Sequence, residues 1–187
     1  MSEANQAQSY SEQQITTAYM PPAVREYLDS ELNSWTEEKW LADTPSLIHF
    51  EGSDSYVMPI HANIDARGGV GEEVVFVVDT DESGNKIGMG LLGFGVGDHP
   101  PALKKPYVAY TQTEQGRRQE GLGTRRLRLM NQLALRLFDQ PLNSDPESDL
   151  SIEAMYTWQK LVRAGEAEGY EEENGALRWR FKTDLHR

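Results

Sequence analysis

A chain of 187 residues, 38% of them hydrophobic, can build one core, yet no apolar run approaches the roughly 20 residues a membrane helix needs. The net charge of −12 argues against nonspecific nucleic-acid binding by the whole surface. With no cysteine there can be no disulfide, thiolate zinc site or cysteine nucleophile.

The polar start, Met1-Ser-Glu-Ala-Asn-Gln6, lacks the apolar segment of a signal peptide, so a cytoplasmic location is expected. Residues 1–20 are predicted to be a flexible tail, and residues 21–187 a single domain. Pro21-Pro22 opens a helical pattern with Val24, Tyr27, Leu28, Leu32 and Trp35 on one stripe. Ser34 to Glu37 resembles a capping box, predicting a second short helix to about residue 41. No strand is predicted before residue 21.

Residues 45–64 are β-like, with Leu47 to Phe50 and Tyr56 to Ile60 as strands; Pro59 predicts an edge strand or a break. Ala66 to Gly71 is a glycine-rich turn without the Lys-Ser/Thr ending of a phosphate-binding loop. Glu73 to Asp79 is an apolar strand, Asp81 to Asn85 a hairpin turn, and Lys86 to Val96 the returning strand. That strand holds Gly88-Met-Gly90-Leu-Leu-Gly93, formally a dinucleotide fingerprint. The fingerprint needs a helix opening from it, which a hairpin strand does not provide, so these glycines are expected to mark a bulge or close backbone approach. His99, in a loop beside two prolines, is expected to be exposed rather than a base. His49, His61 and His186 show no metal-ligand spacing, and no metal site is expected.

Residues 106–113 form a strand, a basic glycine-containing loop follows, and a long helix comes last. Leu127, Met130, Ala134 and Leu137 share one face of that helix, and Arg125, Arg128, Gln132 and Arg136 a polar one. Residues 1–55 hold ten acids and two bases, whereas residues 104–128 hold seven bases and two acids. A basic island on an acidic protein predicts a specific anionic ligand. The first turn of a helix offers unpaired N–H groups and a positive dipole end, and Gly121 and Gly123 allow close approach to it. Pro141 to Ser144 predicts a short strand. Ser151 is a predicted N-cap of a helix carrying Ile152, Met155, Trp158, Leu161 and Val162 on its apolar side, with Gly165 and Gly169 bracketing its end. Asn174-Gly175 predicts a hairpin turn before the alternating Leu177 to Phe181.

Arg118-Gln119-Glu120-Gly121-Leu122-Gly123 fits the pattern Gln/Arg-x-x-Gly-x-Gly/Ala of the GNAT family of N-acetyltransferases. The later Ser151-x-x-Ala154-x-x-x-Trp158 resembles that family's Asn-x-x-Ala-x-x-x-Tyr helix. The resemblance covers roughly residues 74 to 181. It implies a GNAT-like α/β (α+β) fold: a mixed, mostly antiparallel central sheet flanked by helices. It also implies binding of acetyl-CoA or another acyl-CoA, and acyl transfer to an amine. The ligand-contacting set carried over is Thr111, Thr113, Arg117, Arg118, Gln119, Glu120, Gly121, Leu122, Gly123, Thr124, Ser151 and Trp158. The loop would cradle the diphosphate, the strand ending at Thr113 would pair with the pantetheine arm, and an N–H near Thr113 would polarise the acyl carbonyl. The N-terminal third departs from the family, so the acceptor side is not carried over. The family's tyrosine acid corresponds to Trp158, whose indole is no useful acid. Tyr156 and Glu114 are the remaining candidates for acid and base. The partners expected are the acyl-CoA and an amine acceptor, small molecule or protein; a homodimer stays open. Two rival readings remain: a catalytically silent binding protein of the same fold, and a nucleic-acid-binding or nucleic-acid-modifying protein using residues 104–128.

Overall fold

The computed structural model describes residues 16–17, 46–50, 52–62, 72–94, 105–118 and 120–183. The predicted helices of residues 21–41, the loop of residues 66–71, His99, His186 and Gln119 lie outside the described residues.

A six-stranded sheet carries strands β1 (Thr16–Thr17), β2 (Ser46–Phe50), β3 (Ser53–Ala62), β4 (Glu72–Thr80), β5 (Lys86–Phe94) and β6 (Tyr107–Thr113), each beside its neighbour in the chain. Every pairing within it is antiparallel. Two helices follow among the described residues, α1 (Leu122–Phe138) and α2 (Ile152–Arg163), and then the hairpin β7 (Ala167–Glu171) and β8 (Leu177–Phe181). The fold is therefore mixed α+β with a mainly antiparallel sheet.

Local chemistry explains the turns. Asp81 Oδ1 accepts from the amides of Ser83 and Asn85 at 2.9 Å each, which closes the β4–β5 hairpin. Between β7 and β8, Gly175 takes a φ of 83° and Asn174 Oδ1 accepts from the Ala176 amide. Ser151 caps α2 as expected, accepting from the Ala154 amide at 3.2 Å.

One apolar face of the sheet, with Val57, Val75, Val77, Leu92 and Val108, packs against Leu127, Met130 and Ala134 of α1 and Trp158 and Leu161 of α2. The opposite face, with Tyr56, Phe76, Val78, Met89 and Leu91, is buried as well. Burial on both faces accounts for the continuous apolar run of β4.

Three local expectations change, and the one for Pro59 is refined. Thr16–Thr17 pairs with Leu47 and Ser46, so a short strand does precede residue 21 and lies inside the expected tail; two β-branched residues alone carry too little periodicity to announce it. Pro59 lies in β3, between β2 and β4 in the sheet, but β2 ends its pairing at Val57. Among the described residues, the part of β3 holding Pro59 thus has no partner on the β2 side, where a missing N–H costs no ladder bond. Leu137 leaves the apolar stripe and is 52% exposed, while its neighbour Phe138 packs against the core. Gly169 lies within β7 against Trp179 rather than bracketing α2, whose end is marked by Gly165 at a φ of 77°.

Residues 142–144 join the two sheets. Asn143 bridges Tyr107 in parallel and Arg180 antiparallel. Its amide donates to Pro106 O at 2.9 Å and its carbonyl accepts from the Val108 amide at 3.0 Å. The Asn143 side chain donates to Pro106 O and Pro141 O and accepts from the Tyr170 hydroxyl. The predicted strand at residues 141–144 is thus one bridged residue, pinned from every side. Burial pushes the Tyr170 phenol up, Glu172 adds to this, and Arg178 and Arg180 oppose it.

Candidate functional site

Strand β6 changes character along its length. At Tyr107–Val108 it has β5 on one side and Asn143 on the other. A bulge falls between Leu91 and Leu92 of β5, where Ala109 has no opposite residue. From Tyr110 to Thr113 the described partner is β5 alone. The Glu114 amide donates to Ile87 O at 3.0 Å, which fixes the alternation of the ladder. Gln112 and Tyr110 then exchange hydrogen bonds with Met89 and Leu91, and the backbone groups of Thr111 and Thr113 face the outer edge. Among the described residues, no strand covers that edge.

The edge leads directly into the loop. Gln115–Arg117 makes one 3-10 turn, and Gly121 adopts a φ of 80°, which favours glycine. No described atom lies within 4 Å of where a Gly121 side chain would begin. Helix α1 opens at Leu122 without a side-chain cap, its first intrahelical bond running from the Arg125 amide to Gly121 O. The amides of Leu122, Gly123 and Thr124 therefore have no partner one turn back in the helix. A methyl on Gly123 would stand 3.9 Å from the Thr157 hydroxyl, so the space at this glycine is on the α2 side.

The arginines are less available than their sequence suggests. Arg117 pairs with Glu120 at 2.8 Å, Arg118 with Glu153 at 3.7 Å, and Arg128 with Glu166 at 2.6 Å. Arg126 is turned inward: its side chain, like that of Asp79, is 0% exposed, and Nη2 lies 2.7 Å from Asp79 Oδ2. The basic island of residues 104–128 is thus a correction in part, since five of its arginines face carboxylates, Arg125 also reaching Asp79 at 3.8 Å. The exposed pairs, at about 1 kcal/mol or less each, can be exchanged for a ligand anion.

Around Arg126 the sequence makes room. A Cβ on Gly88 would lie 1.9 Å from Arg126 Nη2, and one on Gly90 would lie 2.7 Å from Arg126 Cδ and 2.8 Å from Met130 Sδ. The dinucleotide-like glycines thus mark close approach within a strand, as expected. The Arg126 guanidinium also donates from Nε to Asp79 at 2.8 Å and from Nη1 to the Thr111 hydroxyl at 2.9 Å, and it reaches Thr113 Oγ1 at 3.3 Å from Nη2. Ser55 Oγ donates to the other Asp79 oxygen at 2.6 Å.

Of the expected ligand-contacting residues, Thr111, Thr113, Arg117, Arg118, Glu120, Gly121, Leu122, Gly123 and Thr124 lie along one continuous path from the β6 edge to the first turn of α1. Ser151 sits at the start of α2, whose Glu153 reaches Arg118. Trp158 is a correction: it is 1% exposed and packs edge-on against Phe181 at 5.5 Å, so it fills the core and has no surface for a ligand. Two residues along a helix turn the side chain by about 200°, and Tyr156 accordingly faces solvent at 60% exposure. Glu114 is exposed at the end of β6, its carbonyl accepting from the Arg117 amide.

Sequence reasoning missed the Asp79–Arg126 pair and the role of Asn143. The available signals were an acidic residue ending an apolar strand and two glycines two apart in the next strand. Among the described residues, no group of three or more His, Cys, Asp or Glu could hold a metal ion. No described helix is long and apolar enough to cross a membrane. Neither a scan against models of protein families nor a search of curated proteins finds a match.

Proposed function

We propose that the chain binds an acyl-coenzyme A along the β6 edge and at the α1 N-terminus, and transfers the acyl group to an amine. The observation that carries this reading is continuity. A strand edge that no described strand covers, with two outward backbone positions, Thr111 and Thr113, runs through a left-handed glycine into a helix end lacking a side-chain cap. Such an edge suits an amide-bearing arm, and such a helix end suits a diphosphate. The GNAT-like motif over Arg118 to Gly123 falls at the same place.

In this reading the Leu122, Gly123 and Thr124 amides hold phosphate oxygens, with Arg117 and Arg118 exchanging Glu120 and Glu153 for them. Thr111 and Thr113 orient the arm, and the Thr113 N–H polarises the acyl carbonyl. The ligand supplies a thioester, whose C–S bond breaks as the amine nitrogen bonds the acyl carbon. Glu114 takes the amine proton, directly or through water, and Tyr156 or water protonates the departing thiolate. A second reading, a silent binding protein of the same architecture, draws on the burial of Trp158 and the outward aim of Tyr156.

Thiol release from acetyl-CoA, followed across a panel of small amines and peptide N-termini, tests the transfer. Amine-dependent release above hydrolysis is expected. Saturable acetyl-CoA binding without release from any amine would select the silent protein instead.

A further inference from the structure

We infer that Arg126 is a positioning residue that holds in line the half of β6 whose outer edge has no strand partner among the described residues. Near its start, β6 is clamped from both sides, by β5 and by Asn143. From Tyr110 onward its described strand partner is β5 alone, and a one-sided strand following a bulge frays easily. Over this half, Arg126 reaches the Thr111 and Thr113 hydroxyls from the helix face. The guanidinium is itself held by Asp79 of β4, which is held by Ser55 of β3. Three strands, β3, β4 and β6, are thereby tied to α1 through one side chain. Gly88 and Gly90 keep the slot clear, since a methyl at either would meet Arg126.

A buried ion pair is weak evidence for stability, because a well-packed apolar pair of similar volume often does as well. What the apolar pair would lack is a planar fork bonding two hydroxyls on one strand. The function of this pair is therefore geometric: it sets where the backbone groups of Thr111 and Thr113 stand. The consequence for ligand affinity rests on the acyl-CoA reading; the consequence for the strand does not.

The test is amide hydrogen exchange on the full chain, read at Gln112 and Glu114 and, for reference, at Val77 and Met130. Two double variants are compared with wild type: Thr111→Val with Thr113→Val, and Arg126→Met with Asp79→Leu. Loss of the hydroxyl bonds should speed exchange at Gln112 and Glu114 about tenfold more than at the reference amides. A purely structural pair would lower protection uniformly. Uniform loss, or no change at residues 112–114, in whichever variant folds, overturns the inference. Acetyl-CoA titration of the same proteins gives the second arm, with affinity expected to fall about tenfold. Local exchange gained with affinity unchanged would show that the strand is held but the ligand does not use it. Local exchange gained in a protein whose wild type binds no acetyl-CoA would leave the strand anchor standing and remove the acyl-CoA reading.

Discussion

Arg126 and Asp79 meet 2.7 Å apart beneath α1, and neither side chain has any exposed surface. They come from a helix and a strand 47 residues apart in the chain. Removing Asp79 leaves the Arg126 charge buried and without its carboxylate. Asp79→Ala should therefore cost about 3–5 kcal/mol, whereas the uncharged pair Asp79→Leu with Arg126→Met should cost much less than the two single changes together. Urea unfolding measures both. A cost under about 1 kcal/mol for Asp79→Ala would mean that solvent reaches Arg126.

The Asp81 turn predicts a pH effect. Its carboxyl is held below the ordinary carboxylate range by hydrogen bonds from the Asn85 side chain and backbone and from the Ser83 backbone, with Arg117 adding to this. A lowered pKa in the folded state means the carboxylate's contribution is present above the unfolded value and is lost as pH falls through the folded one. NMR titration should place the Asp81 midpoint below the ordinary aspartate range. Asn85→Ala should move it back toward that range, since one of the hydrogen bonds disappears. A midpoint at the ordinary value in wild type would show that the turn is not formed in solution.

The sequence carries the local elements of this fold because each has a nearby chemical cause. Asp81 and Asn85 announce the β4–β5 hairpin, Asn174-Gly175 the β7–β8 hairpin, Ser151 the start of α2, and the three-and-four spacing of Leu127, Met130 and Ala134 the buried face of α1. Arg126 stands four residues before Met130 and eight before Ala134, so its place in the buried stripe was legible, but its charge argued for solvent. Only its partner resolves that conflict, and an acidic residue ending an apolar strand does not by itself say which residue 47 positions on it will meet. Asn143 is similar: the predicted short strand of Pro141 to Ser144 gives it no special role, and its bonds to Pro106, Val108 and Tyr170 arise only once the sheet is assembled. Trp158 was misplaced for a different reason. Position in a family motif assigned it to a ligand, whereas helix geometry assigns it to the core.

The central claim is that a phosphate-bearing acyl-CoA is held where β6 ends and α1 begins, and calorimetric titration of acetyl-CoA tests it most directly. Wild type should bind saturably at one site. Gly121→Asp and Gly121→Asn place side chains of nearly equal size on the same left-handed backbone, so they share the conformational cost, and only Asp adds negative charge beside the helix N-terminus. Gly121→Asp should lose at least about tenfold more affinity than Gly121→Asn, with both proteins still folded by circular dichroism. Absence of saturable binding in wild type, or equal affinities for the Asp and Asn variants, would contradict the assignment.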